Sequence, residues 1–293
     1  MSTSFHIDPS LLPSEDDVRR YEETGYYVTK TVLPHDLLDR CAVAIAEHHQ
    51  GRRDHKLPKA RYTDWKPGDG DGVRNNEFCS LQNDGVKELA MFPVIGAIAA
   101  RLARSPLIRL FDDQAIYKPT DQGSNSNSTV GWHTDHSYWS TCTSNKMLTA
   151  WIPLHDTSVA NGTLTVVEGS HLWRESEHVR QFNNVDLESL GRWIGRDIPD
   201  SAIKPIVLKK GQFSFHHMRA LHASAPNIAP YPRIALAVHL QDEDNHYQPF
   251  SSTDGQPIVL AHDQLCRRDE NGMPDYSDPC VFPTLWSERA VTA

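Results

Sequence analysis

The sequence has no long hydrophobic run and no excess of positive charge. Its longest mostly apolar run, residues 89–100, is too short to cross a bilayer and is interrupted by Pro93 and Gly96. Lysine and arginine number 29 against 38 aspartates and glutamates, and no basic run is longer than two residues. We therefore expect neither a nucleic-acid nor a membrane partner, because both favour a basic surface.

A disulfide framework and an export signal are missing as well. The five cysteines are odd in number and never occur as Cys-x-x-Cys, so we interpret them as reduced thiols. No basic patch precedes an apolar stretch at the start of the sequence, which argues against a signal peptide. These features predict a cytoplasmic protein, and the apolar content of 39% is enough to fill a core.

Capping residues and apolar periodicity divide the chain into a helical part and a β-rich part. Ser14 and Asp36 are predicted to cap two helices, the first ending near Gly25, and a third helix is predicted over 93–102. Short β-like runs separated by turn residues follow at 107–117, 147–154, 164–168, 203–209, 212–216 and 233–241. This spacing predicts an antiparallel sandwich or barrel with the helices outside it.

Histidine is the unusually abundant residue type, with sixteen copies. In the segment Gly-Trp-His-Thr-Asp-His-Ser-Tyr-Trp, His133 and Asp135 would point to the same side of a strand and could bind one metal ion. A second histidine would complete the two-histidine, one-carboxylate triad of non-haem Fe(II) oxygenases. His216, His217 and His222 are the candidates, and spacing alone does not choose among them.

Several segments, in the right order, resemble the phytanoyl-CoA dioxygenase family. The His-x-Asp motif at 133–135 is followed by Leu-His-Ala-Ser-Ala-Pro-Asn at 221–227 and then by Arg233. Similar segments also occur at 21–28, 113–119, 150–154 with 161–171, and 211–216. The resemblance implies a mainly β fold, a cupin-like double-stranded β-helix or jelly roll with N-terminal helices packed outside. It also implies the use of Fe(II), 2-oxoglutarate and O₂.

We predict a single domain over residues 1–293 on this basis. Its helical N-terminal part would cover about 14–103 and its jelly-roll core about 107–241. The remainder, 242–293, is a C-terminal extension rich in turn residues that the sequence does not place.

The resemblance also implies roles for particular residues. His133, Asp135 and His222 would be the iron ligands, since the family's last ligand is the histidine of the Leu-His-x-Ser stretch. Arg233 would bind the distal carboxylate of 2-oxoglutarate, which suits a planar guanidinium that can donate two parallel hydrogen bonds. Ser224 would donate to the same carboxylate if its segment is extended, although a turn serine is the plain alternative.

Further residues are assigned less directly. Gln114 corresponds to a cosubstrate contact in the family and Trp151 to an aromatic wall, and Lys118 shares the strand face of Gln114; all could be ordinary inward-facing strand residues. Three residues just after the metal motif are candidate substrate contacts: His136, Tyr138 and Trp139. Trp132 is expected to pack away from the metal. The polar loops at 51–76 and 173–200 are the expected sources of a substrate lid.

The predicted function is hydroxylation of an unactivated C–H bond in a small metabolite or natural-product intermediate, with release of succinate and CO₂. Retention of Asp135 argues against halogenation, whereas desaturation, epoxidation and ring closure use the same ligands and stay open. One alternative is a cupin-like metal-dependent isomerase or dioxygenase that does not use 2-oxoglutarate. The other is a non-catalytic jelly-roll binding module. The oligomeric state is not indicated.

Overall fold

A computed structural model describes residues 7–30, 33–57, 64–121 and 128–288. Its helices are α1 (Glu15–Thr24), α2 (His35–His49), α3 (Asp84–Ala90), α4 (Pro93–Leu102), α5 (Leu190–Ile194) and α6 (Ala261–Leu265). Its strands are β1 (Tyr26–Val28), β2 (Arg74–Glu77), β3 (Leu107–Lys118), β4 (Val130–His133), β5 (Leu148–Pro153), β6 (Thr165–Val167), β7 (Ile203–Pro205), β8 (Ser214–His217), β9 (His222–Ser224), β10 (Arg233–Asp242), β11 (Phe250–Ser251), β12 (Pro257–Ile258) and β13 (Thr284–Ser287). Within these ranges, every helix is too short or too polar to cross a bilayer.

Two antiparallel sheets form the centre of the molecule. The larger has the strand order β1-β8-β5-β10-β3-β13, with β2 also paired to β3, and the smaller has the order β4-β9-β6-β7. Strands of both sheets line one cavity, which therefore lies between them. The structure is mainly β, as predicted.

Side-chain alternation along the strands of the larger sheet separates its two faces. On β5, Ala150 and Ile152 belong to a large hydrophobic core shared with α1 to α4, while Thr149 and Trp151 line the cavity between the sheets. The N-terminal helices therefore cover the outer face of this sheet, and the inner face is left for chemistry.

The ends of the first helix follow its sequence. The Ser14 hydroxyl accepts a hydrogen bond from the Asp17 N–H at 3.2 Å, and the Asp17 carboxylate accepts one from the Ser14 N–H at 2.9 Å. Gly25 ends the helix with a φ of 80°, in the left-handed region that glycine tolerates. The predicted cap of the second helix was wrong, because α2 starts before Asp36, whose carboxylate accepts a hydrogen bond from Arg40 at 2.7 Å.

In the β-rich part, the strands lie close to their predicted positions, but some of their lengths differ from the prediction. The strand expected at 203–209 ends at Pro205, since the Leu208 N–H donates to the Thr157 hydroxyl at 2.8 Å instead of to a neighbouring strand. Strands β1, β2 and β13 lie outside the predicted core of 107–241 and still join the larger sheet. They pair with strands whose backbone groups would otherwise be exposed at a sheet edge.

Candidate active site

Three metal-binding side chains meet at one end of the smaller sheet. His133 is the last residue of β4, His222 is the first residue of β9, and the two are paired across the strands. Asp135 begins a single 3₁₀ turn, Asp135–Tyr138, capped by Thr134. One ligand atom from each of His133, Asp135 and His222 lies within 4.8 Å of the others, and all three residues are buried. The expectation that His133 and Asp135 share one strand was wrong, because the strand ends between them.

Backbone carbonyls orient the two histidines. The His133 Nδ1 hydrogen-bonds to the Gly131 carbonyl at 2.8 Å, and the His222 Nδ1 to the Ala220 carbonyl at 3.0 Å. Each Nδ1 must then carry the proton, which leaves Nε2 free to bind a metal. Burial lowers the pKa of both imidazoles, that of His222 well below its usual value. Burial therefore favours the neutral form of both rings, the form that metal ligation requires.

The carboxylate is held by its neighbours on the larger sheet. The Thr149 hydroxyl donates to Asp135 Oδ2 at 2.6 Å, and His216 Nε2 lies 3.3 Å from the same oxygen. Burial alone would raise the pKa of Asp135, but the nearby His222, His216 and His239 outweigh it and hold that pKa well below its usual value. Two neutral imidazoles and one ionised carboxylate form a donor set that fits Fe(II).

The other candidate histidines lie differently. His217 Nε2 bonds to the Asn145 carbonyl at 2.9 Å, outside the cavity. His216 lines the cavity, and its ring centroid is 4.4 Å from that of His222. It is not in the three-residue group whose ligand atoms converge. The geometry thus favours His222 as the second histidine ligand.

A small cavity of about 60 Å³ adjoins these ligands and contains an uncompensated cation. Arg233 is 2% exposed, and its Nε and one terminal nitrogen have no hydrogen-bond partner among the described residues. Burial lowers its pKa to about 10, so the guanidinium remains charged near neutral pH. The Ser224 hydroxyl lines the same cavity, is buried and likewise lacks a partner.

A buried charge without a counter-ion is costly, so these orphaned donors fit an anionic ligand. Trp151 forms a wall of the cavity, with the Arg233 guanidinium carbon 5.4 Å from its ring centre. The residues that would hold iron and those that would hold a dicarboxylate therefore border one small cavity. Such a space suits a small acid that also chelates the metal.

Comparisons with known proteins agree with this geometry. The family model for phytanoyl-CoA dioxygenase (PhyH) matches residues 21–235. The chain belongs to this family. The predicted family is thus confirmed, and with it the enzyme class, an iron- and 2-oxoglutarate-dependent oxygenase.

Two curated relatives show the range of the likeness. The chain is 24% identical over 275 residues to the peroxisomal phytanoyl-CoA dioxygenase of Homo sapiens, covering 88% of this chain and 78% of that protein. It is 31% identical over 136 residues to a probable alpha-ketoglutarate-dependent hypophosphite dioxygenase of Stutzerimonas stutzeri. That match covers 45% of this chain and 44% of the relative, so it spans less than half of either protein.

Solved structures confirm the jelly-roll fold. The epimerase SnoN in complex with Fe3+, alpha ketoglutarate and nogalamycin RO has a TM-score of 0.68 at 25% identity, covering 95% of this chain and all of that chain. EctD from S. alaskensis with 2-oxoglutarate and 5-hydroxyectoine has a TM-score of 0.63 at 18% identity, covering 87% and 89% of the two chains.

Of the two remaining candidate cosubstrate contacts, Gln114 lines the small cavity and Lys118 does not. Gln114 lines the small cavity and lies 3.4 Å from the Glu77 carboxylate. Lys118 does not line the cavity; its ammonium group donates to the carbonyls of Ala225 at 2.7 Å, of Ser224 at 3.3 Å and of Ser128. Lys118 therefore secures the chain around β9 and does not face the cosubstrate space.

A second cavity, of about 350 Å³, lies on another side of the metal ligands. Tyr138 and Trp139 line it together with His133 and Asp135, as expected for substrate contacts. His136 lines neither cavity, and its Nε2 lies 3.5 Å from Glu177. The two cavities therefore give no support to its assignment as a substrate contact, which stays a prediction. Trp132 packs in a separate hydrophobic cluster, as expected.

Sequence reasoning missed most of the wall of this second cavity. Glu77 comes from β2, a short polar strand without a recognisable β pattern, and His262 comes from the C-terminal extension that the sequence did not place. The segment 173–200 contributes Arg180 and Phe182, in keeping with its expected place near the substrate. Of the loop 51–76, Trp65 borders an adjoining outer groove, while residues 58–63 lie outside the described part of the chain.

Proposed function

We propose that this enzyme hydroxylates an unactivated C–H bond of a small metabolite or natural-product intermediate. The observation that carries the proposal is the convergence of His133, Asp135 and His222 beside a small cavity lined by Arg233, whose buried guanidinium has unpaired donors among the described residues. When bound, iron and 2-oxoglutarate supply the oxidising chemistry. One atom of O₂ enters succinate and the other enters the product hydroxyl group, with loss of CO₂ from 2-oxoglutarate.

The chain's own residues bind and orient the reactants. His133 and His222 would hold the iron through Nε2, because their Nδ1 atoms are occupied by backbone carbonyls. Asp135 would be the third ligand, positioned by the Thr149 hydroxyl. The Arg233 guanidinium and the Ser224 hydroxyl would bind the distal carboxylate of 2-oxoglutarate, since both are buried and lack partners.

Aromatic side chains beside the proposed iron ligands would limit the access of water to the reaction. Trp151 closes one side of the cosubstrate cavity, and Phe182 packs edge-on against His133 with ring centroids 5.1 Å apart. Excluding water protects an oxidising intermediate from side reactions. Tyr138 and Trp139 would orient the substrate on the side of the larger cavity.

A small-molecule substrate agrees with the size of this second cavity and with the names of the relatives. An ectoine dioxygenase of Bordetella parapertussis is 22% identical over 264 residues, covering 80% of this chain and 78% of that protein. The cytoplasmic location, the single domain and the absence of a nucleic-acid partner stay predictions from the sequence.

The decisive experiment is an anaerobic titration of the protein with Fe(II) and 2-oxoglutarate. Chelation of iron by 2-oxoglutarate produces a weak visible metal-to-ligand charge-transfer band. We expect this band in the wild type and its loss in Asp135→Ala, with iron affinity reduced on the order of 10²-fold or more. Asp254→Ala, which removes an exposed carboxylate, is the matched control and should keep the band.

Bound iron without the band in the wild type would contradict the proposal and favour a metal-dependent isomerase or a binding module. Once the band is seen, candidate substrates are screened by succinate release. Products formed under ¹⁸O₂ then separate hydroxylation, which incorporates one labelled oxygen, from desaturation or ring closure, which incorporate none.

A further inference from the structure

Among the charged side chains that line the larger of the two cavities, carboxylates outnumber cations. Glu77 and Asp112 border it, and the adjoining groove of about 590 Å³ adds Asp64 and Asp69. Among the described residues that line either space, Arg180 is the sole lysine or arginine, and its guanidinium carbon lies 4.4 Å from the Tyr138 ring centre. Acidic side chains therefore outnumber lysine and arginine along the route to the proposed metal site.

Buried acceptor atoms without donors lie along the same cavity. Asp112 is 2% exposed; its Oδ2 is 3.0 Å from His262 Nε2, whereas its Oδ1 has no hydrogen-bond partner in the part of the chain that the structure describes. When Asp112 is ionised, as it would be beside a bound cation, His262 donates from Nε2 to this carboxylate and its Nδ1 is an acceptor. That Nδ1 is buried and has no hydrogen-bond partner among the described residues. His262 is 6% exposed and lines the cavity.

A third acceptor follows from the hydrogen bonds around Asp135. The Thr149 hydroxyl donates its proton to Asp135, so its 2.8 Å hydrogen bond with His239 Nδ1 must be donated by the histidine. His239 Nε2 is then an acceptor, and it is buried with no hydrogen-bond partner from residues 7–30, 33–57, 64–121 or 128–288. The residue is 4% exposed and lines the same cavity.

Three buried acceptors and a surplus of carboxylates define the ligand that would satisfy them. Each unpaired acceptor costs free energy until a donor reaches it. A hydroxyl group offers one proton, whereas an ammonium or amidinium group offers several together with positive charge. Burial also raises the pKa of Glu77 to about 7 and that of Asp112 well above its usual value, which a bound cation would reverse.

We propose that the substrate carries a cationic nitrogen group, an ammonium or an amidinium, which Glu77 and Asp112 bind in the cavity next to the iron. The inference rests on the proposed function and specifies its substrate class. Since His133 and Asp135 line the same cavity, a molecule anchored by its cation there would present its other end to the metal. His262 also lines this cavity, so the C-terminal extension would take part in binding the substrate.

The test measures the binding of a matched pair of probes to the anaerobic Fe(II)·2-oxoglutarate complex. Benzamidinium and neutral benzamide have nearly the same shape and differ in charge. Calorimetry on the wild type should show tighter binding of benzamidinium by roughly tenfold or more. Glu77→Gln, which keeps the side-chain shape, and Asp112→Asn should each remove most of this preference, whereas Glu270→Gln, an exposed site, should keep it.

The charge-transfer band recorded in the same samples separates the two proposals. Equal binding of the two probes to the wild type, or an unchanged preference in folded Glu77→Gln that retains the band, would overturn the cationic substrate class. Absence of the band with iron bound would instead overturn the proposed oxygenase chemistry. Glu77→Gln keeps the test valid should the more deeply buried Asp112→Asn fail to fold.

Discussion

The two cavities that border His133 and Asp135 differ in their ionisable residues, in size and in the parts of the chain that form them. The smaller holds the unpaired Arg233 and is lined chiefly by strands of the two sheets. The larger holds Glu77 and Asp112 and takes much of its wall from β2, from the segment 173–200 and from the C-terminal extension. The smaller cavity is thus lined by a basic residue and regular strands; we call it the basic side. The larger is lined by acidic residues and, to a large extent, by loops; we call it the acidic side.

This difference separates what the fold shares with its relatives from what is particular to the chain. A cavity formed by paired strands has its dimensions set by backbone hydrogen bonds, so its residues recur at fixed positions of the sheet. A cavity formed by loops and terminal segments can change its lining without disturbing the sheets. We therefore expect the basic side to bind the common cosubstrate and the acidic side to determine the substrate.

Removing the cation of the basic side should have the largest effect. We expect Arg233→Met to weaken 2-oxoglutarate binding by about 10²-fold or more, because the distal carboxylate would lose its charged partner. Fe(II) binding should be nearly unchanged. The metal-free variant should melt at a higher temperature than the wild type, since a buried unpaired charge is removed.

Calorimetry with 2-oxoglutarate and thermal unfolding of the metal-free protein measure the two effects. Arg192→Met, at an exposed position, is the control and should change neither. Wild-type affinity for 2-oxoglutarate in Arg233→Met would mean that the basic cavity does not bind the cosubstrate.

The sequence predicted the basic side far better than the acidic side, for physical reasons. His133, Asp135, His222 and Arg233 lie in motifs whose order along the chain carries the family resemblance, and strand pairing then brings them together. The supporting carbonyls of the two histidines could not be predicted, because any backbone group can accept such a hydrogen bond.

The acidic side depends on contacts between distant segments that leave no local pattern. Glu77 and His262 lie far apart in the sequence, and neither belongs to a recognisable motif. His136 is the reverse case, because it directly follows Asp135 in the sequence and yet lines neither cavity, with its Nε2 3.5 Å from Glu177. Sequence distance from the metal motif is a poor guide wherever the strand has already ended.

The link between the two sides can be tested at Thr149, which joins Asp135 to His239. We expect Thr149→Val to lower the affinity for Fe(II) roughly 10- to 100-fold, because the carboxylate ligand loses the donor that orients it. At saturating iron, the affinity for 2-oxoglutarate should be unchanged, since Arg233 is untouched. Thr165→Val on β6 is the control, and a metal titration measures the effect. A weakened cosubstrate site with normal iron affinity would contradict this account.

The smallest expected effect concerns the cost of the empty acidic cavity. Burial raises the pKa of Glu77 from 4.5 to about 7, so the folded protein keeps this proton to a higher pH than the unfolded chain does. The wild type should therefore lose stability, relative to Glu77→Gln, as the pH rises from about 4.5 to about 7. We expect equal stabilities of the wild type and the variant near pH 4. Near pH 8 the variant should be more stable by about 2 kcal/mol, which is less than the whole pKa shift would give because the side chain is only partly buried.

Urea unfolding of the metal-free proteins across this pH range measures the difference, with Glu270→Gln as the control. A stability difference that does not depend on pH would mean that the pKa of Glu77 is not raised in the empty protein. Ionisation of Glu77 would then not destabilise the fold, and a bound cation would have no such destabilisation to offset.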